Sequence, residues 1–213
     1  MSEDLEKMSD AIFDNIVPPT WVKKGFLSLK PLASWIQDCN ARINFLNEWI
    51  SKGTPNVYWL SGFFFPQAFL TGTLQNYARK ETIAVDKISF DFQFKDTMVF
   101  EDVKEKPASG CLFYGLYLEG CKWDYEKHEL AESDPKKLFV DLPMLHLVPV
   151  EERAKPTEGI YMCPLYKVLS RTGTLSTTGH STNFVMWFEV PSSSFDEDFW
   201  IKAGVAAFCA LRY

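Results

Sequence analysis

The sequence predicts an α+β fold in which N-terminal α-helices are followed by a small antiparallel β-barrel. Over residues 1–82, apolar side chains recur every three or four positions, which is the period of an amphipathic helix. From residue 88 onward the period changes to two, and short apolar runs are separated by turn residues. We therefore expect a helical segment over residues 1–82 and a barrel over residues 83–213.

Three helices are predicted in the first segment, over residues 4–16, 31–52 and 66–79. The first carries an apolar row and is ended by Val17-Pro18-Pro19, because a proline disfavours helical geometry in the residue before it. Gly53 stands where a C-terminal cap of the second is expected, and Pro66 suits the first position of the third. The stretch 20–29 has no clear period and is expected to be a connector.

The second predicted helix is amphipathic, so we expect it to bury one face and expose the other. Its apolar stripe consists of Leu32, Trp35, Ile36, Cys39, Ile43, Leu46 and Ile50. Its polar face consists of Gln37, Asp38, Asn44, Asn47 and Glu48. We expect the polar face to contact solvent or a polar partner.

The strands are predicted from alternation and from short apolar runs. Residues 88–95 alternate between apolar and polar, whereas residues 111–118 are apolar on both alternations, as in a strand buried on both sides. Further strands are predicted at 143–149, 160–166, 174–176, 183–190 and 205–211, with one helical turn at 199–201.

Composition excludes several classes of function. The formal net charge of −6 argues against charge-driven binding of nucleic acid or acidic lipid, and no apolar run has the roughly 20 residues of a membrane span. Five scattered cysteines and an acidic start without a signal-peptide pattern are typical of a reduced, intracellular protein. Cys111, Cys121 and His128 are a weak zinc candidate, because no C-x2-C pair accompanies them. We predict no metal site.

The sequence is organised around the aromatic block of residues 57–80. So much aromatic surface has to lie in a core or in an interface, and a core is the favoured interpretation. We expect part of this block to join the helices to the barrel. The candidate residues of this core are Trp59, Phe63, Phe64, Phe65 and Phe69.

The sequence offers little support for catalysis. The loop 174–183 (TLSTTGHSTN) places Ser176 and Ser181 near His180, but no G-x-S-x-G elbow surrounds them, and a hydroxyl-rich turn is the simpler interpretation. No phosphate-binding loop and no dinucleotide fingerprint are found. We predict no catalytic and no cofactor-binding residues, and hold a serine hydrolase to be remote.

Four long motifs resemble the C-terminal domain of dynein heavy chains, most closely the axonemal type. They are WLSGFFFPQAFLTG with QNYARK (59–80), GLYLEG with WD (115–124), CPLY with GTLSTTGHSTNF (163–184), and WIK with GV (200–205). Residues 5–21 also resemble the family's passage from the last AAA+ module into this domain. Ala203 and the serine- and acid-rich stretch 191–198 depart from the family pattern.

The resemblance implies a role and no reaction. It implies a non-catalytic regulatory and structural domain that packs on the AAA+ ring of a minus-end-directed microtubule motor of cilia and flagella, in the cytoplasm, cytoskeleton and axoneme. ATP and magnesium would belong to the AAA+ modules outside this sequence. The implied partners are those modules and, through the parent motor, microtubules and dynein intermediate and light chains, with no nucleic acid and no membrane.

The candidate ring-docking interface is the apolar row of the first helix, together with the surface of the 31–52 helix. The residues of that row are Leu5, Met8, Ile12 and Ile16. One alternative stays open at this point, a free-standing ligand-binding β-barrel in which the loop 174–183 forms a polar rim.

Overall fold

A computed structural model describes residues 3–96, 98–153, 156, 158–175, 177 and 179–212. Within these residues the helices are α1 (Glu3–Phe13), α2 (Pro19–Lys24), α3 (Leu32–Lys52), α4 (Pro66–Glu81) and α5 (Glu197–Ala203). The three predicted helices are confirmed, although the first ends at Phe13 and not at residue 16. The expected connector instead contains the short helix α2, which begins with a proline at its first position, where the missing N–H leaves no bond unmade.

The strands of the described residues fall into three sheets. The strands are β1 (Tyr58–Trp59), β2 (Ile88–Lys95), β3 (Cys111–Tyr114), β4 (Tyr117–Glu119), β5 (Cys121–Asp124), β6 (Glu129–Glu132), β7 (Phe139–Asp141), β8 (Met144–Glu151), β9 (Ile160–Val168), β10 (Phe184–Pro191) and β11 (Ala206–Ala210). The sheet orders are β1-β3-β8-β2, β10-β9-β11-β4-β7 and β5-β6.

The α+β prediction is confirmed, and the barrel is not. None of the three sheets closes on itself within the described part of the protein. Pairing is largely antiparallel, but β1 pairs with β3 and β9 with β11 in parallel. β1 belongs to the predicted helical segment, yet it pairs with β3 of the second segment. The division of the chain at residue 82 stays a prediction.

Two predicted strands differ from the structure. The run 111–118 is broken into β3 and β4 by Gly115, whose φ of +75° is rarely adopted by other residues. A Cβ atom at this position would lie 3.0 Å from the Trp59 indole, so the close approach of the ring also favours glycine. In the predicted strand 174–176, Leu175 makes an isolated bridge to Ser181, and Ser176 lies outside the described residues.

Two apolar clusters hold the fold together. The larger joins α4 to the sheets and includes the fully buried Phe113, Phe188 and Trp200. The smaller lies where α2 and the segments flanking it meet α3, and consists of Val17, Phe26, Leu32 and Trp35. The helical part is therefore fastened to the rest by aromatic packing at α3 and α4.

Candidate docking interface

The apolar row predicted for the first helix is exposed in this structure, and its last member, Ile16, lies just beyond the end of α1. Leu5 is 51% exposed, Ile12 43% and Ile16 57%, whereas Met8 is half-buried. Phe13, beside the row, is 90% exposed, and α1 contains no buried residue. A helix with an apolar row and no buried side chain has surface available for a partner.

Asn15 connects this helix to α3. It adopts a left-handed conformation (φ +56°), and the N–H of Ile16 donates to the carbonyl of Ala11 at 2.8 Å, which closes α1 with a bond that skips back five residues. The side-chain oxygen of Asn15 accepts from the N–H of Ala33 at 3.3 Å, and its carbonyl accepts from Leu32 at 3.0 Å. One asparagine thus ends α1 and caps the start of α3.

The outer face of α3 carries a second exposed apolar row. Ile36 is 41% exposed, Ile43 45% and Ile50 84%, and they recur every seven residues. The prediction that these isoleucines are buried is wrong. The inward side of α3 instead carries Phe45 and Trp49, because these larger aromatic side chains pack against the main cluster.

The inner face of α3 also holds an ion pair that the sequence pattern assigns to solvent. Asp38 belongs to the predicted polar face, but its side chain is 9% exposed and accepts from Arg42 at 3.2 Å, four residues on. Arg42 is 4% exposed, and its guanidinium lies 3.9 Å from the centre of the Phe26 ring. Burial lowers the pKa of Arg42 below its usual value, although Asp38 opposes this shift. Asp38 and Arg42 are four residues apart, a spacing that places side chains side by side on a helix and could have indicated an ion pair from the sequence.

The structure separates the five candidate residues of the inter-segment core. Phe63 stacks on Phe69, with ring centres 4.3 Å apart, and both pack on the main cluster. Phe64 packs on the smaller cluster, edge-on to Phe26. Phe65 is 72% exposed. Trp59 meets Phe45 edge-on at 6.3 Å. Consecutive phenylalanines therefore point to two different clusters and to the surface.

The hydroxyl-rich loop mainly satisfies its own backbone in the part that is described. The ring of His180 stacks on Phe184 at 4.6 Å, and the hydroxyl of Ser181 accepts from the N–H of Asn183 at 3.1 Å. The fully buried Asn183 side chain accepts from the N–H of Val168 and donates to its carbonyl, which ties the loop to β9. Ser176 lies outside the described residues. The remaining contacts are those of a structural turn.

The weak zinc candidate is not assembled in the structure. The thiol of Cys111 lies 3.8 Å from the hydroxyl of Thr73, and His128 is paired with Asp96 at 2.5 Å. Among the described residues no group of three or more cysteine, histidine or acidic side chains could hold a metal ion. None of the described helices is long and apolar enough to cross a membrane.

Comparison with known proteins decides the family. A family model described as the C-terminal domain of the dynein heavy chain matches residues 1–209. The chain belongs to this family. Dynein heavy chains of the axonemal kind are also among its relatives, and the resemblance found in the sequence is confirmed.

The similarity to these relatives extends over the whole sequence. The chain is 52% identical over 213 residues to rat dynein axonemal heavy chain 1, and 50% identical over 216 residues to the human protein of the same name. It is 45% identical over 212 residues to human dynein axonemal heavy chain 3. At least 99% of the chain is covered in each comparison, but it spans 5% of the length of each relative.

Proposed function

We propose that this chain is a non-catalytic regulatory and structural part of an axonemal-type dynein heavy chain, and that it packs on the ring of AAA+ modules. In this proposal the helical part docks and the sheets provide a rigid support. ATP and magnesium bind to the AAA+ modules, outside this sequence. The parent motor moves toward microtubule minus ends, drives ciliary and flagellar beating in the axoneme, and meets microtubules and the intermediate and light chains through its other parts.

The observation that carries the proposal is the exposed row of α1. Leu5, Ile12 and Phe13 are presented to solvent on a helix with no buried residue, and Ile16 is exposed just beyond its end, in a protein whose sheets already enclose a large apolar cluster. Exposed apolar surface of this kind favours association with another surface, because contact removes it from water. The second row, on α3, lies on a helix that is capped by the end of α1, so both rows belong to one helical unit.

The test is binding of the 213-residue protein to a dynein ring that lacks this domain. Ile12→Gln/Ile16→Gln should weaken binding at least tenfold, since burial of apolar surface contributes about 25 cal/mol per Å². Light scattering after size-exclusion chromatography measures the complex, and ring ATPase measures its effect. A one-to-one complex with restored ATPase supports the proposal.

Leu138→Gln is the matched control, because Leu138 is 68% exposed and lies in the strand-rich part of the protein. It should leave binding unchanged. Equal binding of the wild type and the Ile12/Ile16 double variant would refute the docking row. If the wild-type protein does not bind the ring at all, the proposal that this domain packs on the ring when added as a separate protein is refuted.

A further inference from the structure

A small cavity lies between α2, α3, the aromatic block and the strands β9 and β11. Its volume is about 160 Å³. Its apolar wall is formed by the rings of Phe26, Phe63, Phe64 and Phe65, and its polar lining includes Arg42 and Lys167. Pockets for drug-sized ligands have volumes of about 300–1,000 Å³. The cavity therefore suits a ligand of few atoms.

The charge around this cavity is unbalanced. Arg42, Lys167 and Lys23 line it, and no aspartate or glutamate among the described residues does. Asp38 contacts Arg42, but this carboxylate is shared by two cations, Arg42 at 3.2 Å and Lys30 at 3.5 Å. One carboxylate therefore pairs with two cations, and Lys167 adds a further positive charge at the cavity, in a protein whose net charge is −6. A surplus of positive charge in an acidic protein calls for a specific reason.

Two of the three cations at the cavity, Arg42 and Lys167, have unused hydrogen-bonding capacity. Arg42 donates to the carbonyl of Phe63 at 3.3 Å and to Asp38, but its buried Nε–H has no acceptor among the described residues. Lys167 forms no ion pair with any described carboxylate within 4.0 Å, and burial lowers the pKa of its ammonium group. Buried donors and charges without partners destabilise a fold, so such groups are normally satisfied.

Cys209 does not supply the missing negative charge. Its side chain lines the cavity within electrostatic range of both Arg42 and Lys167. Burial raises the pKa of this thiol to about 12, more than the two cations lower it, so the thiol is neutral at physiological pH. The proton of the Ser61 hydroxyl is also occupied, because it lies within reach of the backbone carbonyls of Gly115 and Cys209.

We propose that this cavity binds a small oxyanion, a phosphate or carboxylate group, between Arg42 and Lys167. A planar guanidinium and an ammonium that line the same aromatic pocket can both donate hydrogen bonds to the oxygen atoms of such a group. The site is separate from the docking row of α1, and it stands or fails independently of ring packing.

The test uses the whole 213-residue protein with inorganic phosphate and, separately, acetate as probes, each titrated against chloride at constant ionic strength. Thermal unfolding and, for phosphate, broadening of the ³¹P NMR line are recorded. Stabilisation should saturate as expected for one site, since a ligand stabilises according to the logarithm of one plus its concentration over Kd. Lys167→Gln should weaken the affinity at least tenfold.

Lys80→Gln is the matched control, because Lys80 lines a different groove and the same charge is removed. It should leave the affinity within twofold of the wild type, and Lys167→Arg should restore most of the loss caused by Lys167→Gln. Saturation by phosphate alone identifies a tetrahedral oxyanion, and saturation by both probes identifies any small oxyanion. The proposal is overturned if neither probe saturates, or if both lysine-to-glutamine variants lose affinity equally.

Discussion

Two regions of this protein are both strongly apolar but lie in opposite environments. The cluster around Phe63, Phe69 and Phe113 lies between the helices and the sheets, and Phe113 is 1% exposed. The row formed by Leu5, Ile12 and Ile16 is about half exposed, although its spacing is that of a buried helix face. The comparison shows that helical periodicity identifies an apolar face and leaves open whether that face is covered by the same polypeptide.

The two faces of α3 repeat this contrast within a single helix. Ile36, Ile43 and Ile50 point outward, while Arg42 and Asp38 lie on the inner side. An aliphatic row outside and an ion pair inside depart from a simple amphipathic pattern, although Leu32 and Trp35 of the predicted stripe are buried. Aromatic size decides the orientation, because Phe45 and Trp49 pack against the main cluster and their positions determine the rotation of the helix.

The largest expected difference in the free energy of unfolding is between alanine variants of a buried and an exposed phenylalanine. Phe113→Ala should lower the free energy of unfolding by about 4 kcal/mol, because it leaves a cavity beside Tyr58 and Phe69. Phe13→Ala, at a position 90% exposed, should change it by less than about 0.5 kcal/mol. Urea unfolding of both variants measures the difference. Similar losses in the two variants would mean that α1 is packed within the isolated domain.

The next effect concerns the ion pair on the inner face of α3. Asp38→Ala should lower the free energy of unfolding by about 3 kcal/mol, because it leaves the guanidinium of Arg42 buried without its carboxylate. Glu48→Ala removes the exposed pair with Lys52 on the same helix, and its expected effect is below about 1 kcal/mol. Chemical denaturation measures both. A small loss for Asp38→Ala would place Arg42 in contact with water.

The smallest of the three concerns the connection between α1 and α3. Asn15→Ala should lower the free energy of unfolding by about 2 kcal/mol, through the lost cap of α3 and the strain of alanine at a positive φ. Asn15→Gly keeps the conformation and loses the cap, so about half of that effect is expected. Thermal unfolding measures stability, and limited proteolysis reports release of α1. Equal effects of alanine and glycine would show that the backbone conformation contributes nothing.

Much of the fold was accessible to sequence reasoning. The three long helices and the strand at Ile88–Lys95 were predicted correctly, because local periodicity and the glycines and prolines that end elements act over a few residues. The prediction missed the helix Pro19–Lys24, which is too short to show a period, and the break at Gly115, which depends on the nearby Trp59 ring. The closed barrel stays unconfirmed, since pairing between distant strands leaves little local signal.

The candidate sites divide in the same way. The apolar residues of α1 could be found from their spacing, and the family from long motifs that extend over nearly the whole sequence. The pocket lined by Arg42 and Lys167 could not be found from the sequence, because these two residues are 125 positions apart and share no pattern. Within the aromatic block, the sequence also did not distinguish the stacked Phe63 from the exposed Phe65.

The sequence by itself determined the class of fold, the presence of the three long helices and of several strands, and membership of the family of dynein C-terminal domains. These depend on local preferences and on long runs of residues. The tertiary structure alone decided which apolar faces are buried, where the Arg42 and Asp38 pair lies and which side chains line the small cavity. Those outcomes depend on how large side chains from distant segments fill a common volume, and interiors packed as densely as crystals leave few alternatives.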